Sequence, residues 1–176
     1  MNSQYLKSTK FQYFPIKSSY FNFFDKIVIT SIEEYNFYDC NLKGVKFPKV
    51  LTNIIFRECD LEGCNFSNIE LIDITFSYCN LKGIKFPKVL TNIRFENCDL
   101  EGFDFSEIEL KNSLDFQYNH FYICKLKGVK LPKILSNIKF WNCDLEGCDF
   151  SDIELKDIYF DICKLKGVKF PKILSN

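Results

Sequence analysis

The residues of this chain best equipped for chemistry are its nine cysteines and its single histidine, His120. In the stretch CDLEGCDF, Cys143 and Cys148 lie five residues apart with Asp144 and Glu146 between them, a spacing that raises zinc binding or an activated thiolate. A zinc framework, however, comes as two cysteine pairs or is completed by His. The position of Cys148 holds Cys only once more, at Cys64, and elsewhere holds Val45, Ile84, Phe103, Val129 or Val168. A slot that takes Val, Ile or Phe is an apolar slot. The position of Cys143 recurs seven times, beside a larger Leu, which suits a small apolar side chain filling a narrow place in a core. Buried thiols without a basic neighbour are expected to have a raised pKa and low reactivity. His120 has no nucleophile or carboxylate pair in a recognisable arrangement around it, and no phosphate loop, dinucleotide fingerprint or metalloprotease motif occurs. The expectation is no catalytic residue, no metal, no cofactor and no enzyme.

The elements that position these residues follow from self-similarity. The pattern F-x-x-C-x-L-x-G begins at Phe37, Phe56, Phe76, Phe95, Phe121, Phe140 and Phe160, at intervals of 19 or 20 residues with one longer interval before Phe121. Within a unit large apolar residues recur every five: from Ile54 the chain reads IIFRE, CDLEG, CNFSN, IELID, ITFSY, CNLKG. A period of five fits neither a helix at 3.6 nor a long strand at 2. Two residues two apart share one side of an extended segment, so the chain must then turn for the next pair to point inward too. Short extended segments joined by corners, four to a turn, stack as a solenoid.

Pentads such as CDLEG, CNLKG, CDFSD and CNFSN resemble the pentapeptide-repeat family, in which a small residue, Asp or Asn, then Leu or Phe precede two polar positions. The resemblance covers roughly residues 32 to 176 and implies a right-handed quadrilateral β-helix of about seven 19-20-residue coils, an all-β solenoid. One feature departs from it: Phe47 to Phe56, Phe86 to Phe95 and Leu131 to Phe140 are one residue short of two pentads. The same residues read as L-x-x-I-x-F-x-x-C-x-L, which resembles a leucine-rich repeat with one strand per unit and a return of variable length. Both geometries stay open on the sequence.

The closest self-similarity is at two coils, and charge explains the doubling. After each motif Leu the series is Lys43, Glu62, Lys82, Glu101, Lys127, Glu146, Lys166, and one segment later it is Lys46, Asn65, Lys85, Asp104, Lys130, Asp149, Lys169. Stacked in register at ~4.8 Å, equivalent residues of neighbouring coils attract when their signs alternate and repel when a coil slips by one. Lys plus Arg equals Asp plus Glu at 23 each, so no global field draws nucleic acid or an anionic membrane.

Residues 1-31 lack the repeat and are expected to cap the solenoid of residues 32-176. An insertion near 112-119 lengthens one coil by six residues; Phe116, Tyr118, His120 and Tyr122 there are the candidate partner contacts. No apolar run approaches a spanning helix, no signal-peptide pattern opens the chain, and the odd cysteine count suits a reducing cytoplasm. The functional expectation is a protein-protein interaction scaffold with a protein partner, no nucleic acid and no membrane, and with a homodimer formed through the C-terminal coils. A second class, implied by the pentapeptide resemblance, is a nucleic-acid mimic that binds a topoisomerase, which wants a strongly acidic surface. A leucine-rich-repeat adaptor is the structural alternative.

Overall fold

A computed structural model describes residues 31–33, 36–112 and 119–172 of the chain. The expected cap at 1-31 lies almost wholly outside them, as do Phe116 and Tyr118. The chain forms two compact units, divided between Pro87 and Lys88. The first contains β1 (Ser31–Glu33), β2 (Asn36–Tyr38), β3 (Val50–Arg57) and β4 (Glu70–Ser77). The second contains β5 (Val89–Thr91), β6 (Arg94–Glu96), β7 (Glu109–Lys111), β8 (Asn119–Tyr122), β9 (Ile134–Trp141) and β10 (Glu154–Asp161). Every strand pair within a unit is parallel. Each unit is a right-handed quadrilateral β-helix, the hand that parallel crossovers take.

One coil of the first unit shows how a five-residue period closes a square. The first side ends at Arg57, and Glu58 turns the corner with φ 55°. The second side, Cys59 to Glu62, ends in a turn closed by Cys64 N–H donating to Leu61 O at 3.0 Å, with Gly63 at φ 70°. That turn needs a left-handed residue in its third place, which Gly supplies without strain. The third side, Cys64 to Phe66, turns through Ser67 and Asn68, closed by Ile69 N–H donating to Phe66 O at 2.9 Å. The fourth side, Ile69 to Ile72, turns at Asp73, φ 55°. Four short sides per coil exclude the one-strand unit of a leucine-rich repeat.

The register explains the missing residue. Leu51 pairs with Leu71 and Val50 with Glu70, so the short coil loses its residue at the corner between the third and fourth sides. There Phe47-Pro48-Lys49-Val50 replaces Phe66-Ser67-Asn68-Ile69-Glu70, and the buried slot of Ile69 has no counterpart. In the second unit Leu155 pairs with Leu135 in the same way, with Pro132 buried at the short corner and Ile153 at the longer one. A corner can lose a residue because the side chains on either side keep their alternation; a side cannot, since a one-residue slip would turn every inward residue outward.

The core is a square of Phe, Leu, Phe and Leu. On the first side Phe95, Phe121, Phe140 and Phe160 stack with ring centroids 5.3, 5.1 and 5.3 Å apart. Across each coil they meet the third-side rings edge to face, as Phe140 meets Phe150 at 6.4 Å. The second-side Leu100, Leu126 and Leu145 are completely buried between them. Such ring pairs add ~0.5–1.5 kcal/mol each beyond the burial of their area.

Candidate functional site

The cysteines belong to this core. Eight are buried, Cys163 is partly so, and none is disulfide-bonded. Their thiols donate to backbone carbonyls of the preceding coil: Cys59 Sγ to Phe37 O at 3.3 Å, Cys143 Sγ to Phe121 O at 3.2 Å, Cys148 Sγ to Leu126 O at 3.1 Å. Burial pushes the Cys40 thiol up to about 11, and a hydrogen bond with the Cys124 thiol, helped by burial, pushes Cys143 up to about 12. Cys64 and Cys148 are raised by burial. These thiols stay protonated at neutral pH and present no thiolate to a metal or an electrophile.

The second and third sides carry the alternating charges, now resolved as ion pairs between coils. Lys43 reaches Glu62 at 2.7 Å and Asp60 at 3.1 Å. In the second unit Lys125 meets Asp99 at 3.0 Å, Lys127 meets Glu146 at 3.4 Å, Lys130 meets Asp104 at 3.0 Å and Lys169 meets Asp149 at 2.8 Å. The acids have a second task that the sequence pattern did not reveal. Asp144 Oδ1 accepts Glu146 N–H at 3.2 Å, and Asp104 Oδ1 accepts Ser106 N–H at 3.0 Å and the Ser106 hydroxyl at 2.6 Å. These Asp residues therefore shape their own corners as Asx turns while binding the lysine of a neighbouring coil. Asp104 is held down at about 2, first by Ser106 and then by Lys130.

The first side of the second unit differs. The residue one before each motif Phe points outward, and in-register pairing stacks Arg94, His120, Lys139 and Tyr159 into one column. The residue one after gives a parallel column of Glu96, Tyr122, Trp141 and Asp161. In the first unit the equivalent positions Asn36, Ile55 and Thr75 bear no charge. Tyr122 and Trp141 pack edge to face at 4.4 Å, both half-buried. Arg94 approaches Glu96 at 3.9 Å. His120, about half-buried, has its pKa lowered by burial first, then by the guanidinium of Arg94 and the ammonium of Lys139. It is the neutral member of a cationic column at pH 7.

The insertion leaves the coil beside this column. Asn119 occupies the inward slot that Ile138 fills in the next coil, and is buried. Its Oδ1 accepts Ile93 N–H at 2.6 Å and its Nδ2 donates to Lys111 O at 3.1 Å, so one amide ties the exit of the insertion to its entry. At the entry Asn112 Nδ2 donates to Asn137 O at 3.1 Å. Among the described residues, two buried side-chain polar atoms lack a hydrogen-bond partner, Asn112 Oδ1 and Trp141 Nε1, and both flank this region. Ile123, beside Tyr122, sits at φ 53°, where a β-branched residue is strained.

Of the expected contacts, the structure places His120 and Tyr122 outward on β8, on one surface. Arg94, Lys139 and Trp141 share that surface and Asn119 lies beneath it, and the repeat pattern singled out none of them. The signal for the first two was present, since both stand one residue before a motif Phe; the charge pattern drew attention to other positions.

A sequence profile described as Pentapeptide repeat region matches residues 49–114 and 88–170. Among solved structures, full-length QnrB1, a plasmid-mediated fluoroquinolone resistance protein, is similar over 81% of this chain and 78% of its own, at 22% identity and TM-score 0.42. The pentapeptide repeat protein Rfr23 from the cyanobacterium Cyanothece 51142 is similar over 81% of this chain and 84% of its own, at 17% identity and TM-score 0.19. No curated protein matches the chain.

Proposed function

We propose that this chain, which belongs to the pentapeptide-repeat family, is a non-enzymatic scaffold that binds another protein through an outward face of its coils, in the cytoplasm. The observation that carries this reading is the division of labour within a coil. Inward positions repeat as Cys, Leu and Phe and are consumed by packing, whereas the outward residue one before each motif Phe changes from Asn36, Ile55 and Thr75 in one unit to Arg94, His120 and Lys139 in the other. Variation on a fixed frame is what a recognition surface needs, and Tyr, Trp and Arg are the residues that interfaces favour. Nucleic-acid mimicry is disfavoured, because the acids of the second and third sides pair with lysines one coil away and present no continuous negative surface.

A second copy of the chain is part of the reading. In the last coil Leu165 is 38% exposed and Phe170 39%, although their equivalents Leu145 and Phe150 are completely buried. Stacking a second copy there would cover these slots and the outer edge of β10. Sedimentation giving a monomer at high concentration would contradict the homodimer.

The scaffold reading is tested with a chain lacking residues 113–118, which returns the coil to the 20-residue spacing seen from Phe140 to Phe160. Crosslinking and capture with the intact chain should recover a specific protein. Loss on deletion places the contact at the insertion, retention places it on the faces, and no specific protein with either chain contradicts the scaffold.

A further inference from the structure

We propose that the outward column of Arg94, His120 and Lys139, walled by Tyr122 and Trp141, is the docking site for an acidic, extended segment of a protein partner. This rests on the scaffold reading and gives that reading a place and a ligand chemistry.

On the second and third sides, charged residues one coil apart have opposite sign, and the pairs close at about 3 Å. In the column Arg94, His120 and Lys139, all three side chains are basic and no acid is interleaved. Stacking at ~4.8 Å sets the half-buried His120 between the two cations, and its pKa is lowered by burial first and then by Arg94 and Lys139. Glu96 approaches Arg94 from the neighbouring column at 3.9 Å, and the file as a whole offers an acidic ligand a basic surface that the alternating second and third sides do not.

Geometry selects the ligand. Two coil steps span roughly 10 Å, which an extended peptide covers in about three residues, so carboxylates two or three positions apart meet both Arg94 and Lys139. Tyr122 and Trp141, both half-buried and packed edge to face, supply an apolar wall for the intervening residue. Glu96 and Asp161 lie in register at the two ends of that wall. They limit the cationic length to a short segment and would repel a phosphate backbone that continued past it, whereas nucleic-acid binding needs an extended basic footprint. Groups facing His120 from the packed strands are Arg94 and Glu96 on β6 and Lys139 on β9. Carboxylates on Arg94 and Lys139 would offset the two cations that, after burial, lower the His120 pKa, so binding raises it, and by linkage binding strengthens as pH falls through the His120 midpoint.

The sequence supplies two reporters. Trp141 is the single Trp and His120 the single His, so tryptophan emission and the imidazole proton resonances report on this site alone. The full chain is titrated at low ionic strength with a ten-residue peptide centred on Glu-Val-Glu, its Gln-Val-Gln counterpart, and a ten-nucleotide oligothymidylate. The glutamate peptide should change Trp141 emission, raise the His120 midpoint and bind at least tenfold more tightly than the glutamine peptide. Arg94→Gln with Lys139→Gln should lose that preference, and Arg94→Lys with Lys139→Arg should keep it. No response to the glutamate peptide, or equal binding of the glutamine peptide, overturns the proposal. Tighter binding of the oligothymidylate also overturns it, in favour of a phosphate polyanion. If the Arg94→Gln/Lys139→Gln chain captures the same protein as the native chain, this site is wrong while the scaffold stands.

Discussion

Two faces of the second unit obey the same stacking geometry and use it in opposite ways. On the second and third sides every coil step puts a lysine against an acid, as Lys130 against Asp104 and Lys169 against Asp149. On the first side the same step puts Arg94, His120 and Lys139 in one cationic file. The backbone pairing is parallel and in register in both places, so the difference lies wholly in side chains. Outward residues are free to vary because the coil is held by its inward ones, and it is the face without alternating charge that we propose a ligand uses.

The largest effect should come from breaking what both faces share. Phe140 is fully buried between Phe121 and Phe160, and Phe140→Ala should cost about 3–5 kcal/mol in urea unfolding. A loss below ~1 kcal/mol would mean that the ring stack contributes little and that the outer charges matter more than claimed. Next is the amide that ties the insertion to the first side. Asn119→Ala leaves Ile93 N–H and Lys111 C=O without their partner and should cost about 1–3 kcal/mol, with faster amide exchange at Ile93. Unchanged exchange there would separate the insertion from the column beside it.

A smaller effect, of opposite sign, is expected at the corner next to Tyr122. Ile123 holds φ 53°, and Ile123→Asn should raise stability by about 1 kcal/mol, because Asn visits this region more readily. Smallest and most dependent on salt is the charge ladder. Lys130→Glu puts like charges against Asp104 and should lower the urea midpoint slightly, less so at high salt, with recovery when Asp104→Lys is added. The same pair sets an acid limit. The Asp104 pKa is depressed to about 2, so its contribution is complete above the usual carboxylate range and is lost as pH falls from about 4 through about 2. Ser106 is the first cause of that depression and Lys130 the next, so Lys130→Glu should reduce this acid dependence without removing it.

The solenoid and its core were legible in the sequence because packing constrains inward positions coil after coil. Cys143, Leu145, Cys148 and Phe150 sit in buried slots that the five-residue period alone identifies. Ion pairs such as Lys127 with Glu146 were legible for the same reason, since stacking turns a sequence interval into a contact. The nine-residue intervals were ambiguous, because a missing residue fits a tolerant return as well as a trimmed corner. Only the register of Val50 with Glu70 shows that the corner absorbs it. The cationic column was half legible. His120 stood out by its rarity, but its neighbours Arg94 and Lys139 come from coils 26 and 19 residues away, and the insertion shifts the interval on one side. Asn119 was illegible, since nothing in its type announces that it replaces an inward Ile.

The most direct test of the division between stacking faces and a binding face is the urea midpoint of the Arg94→Gln/Lys139→Gln protein beside that of Lys130→Glu. If the cationic column serves a ligand and opposes stacking, its removal leaves the midpoint unchanged or raises it, while Lys130→Glu lowers it. A midpoint lowered by the loss of Arg94 and Lys139 as much as by Lys130→Glu would show that the column holds the coils together, and would contradict the account.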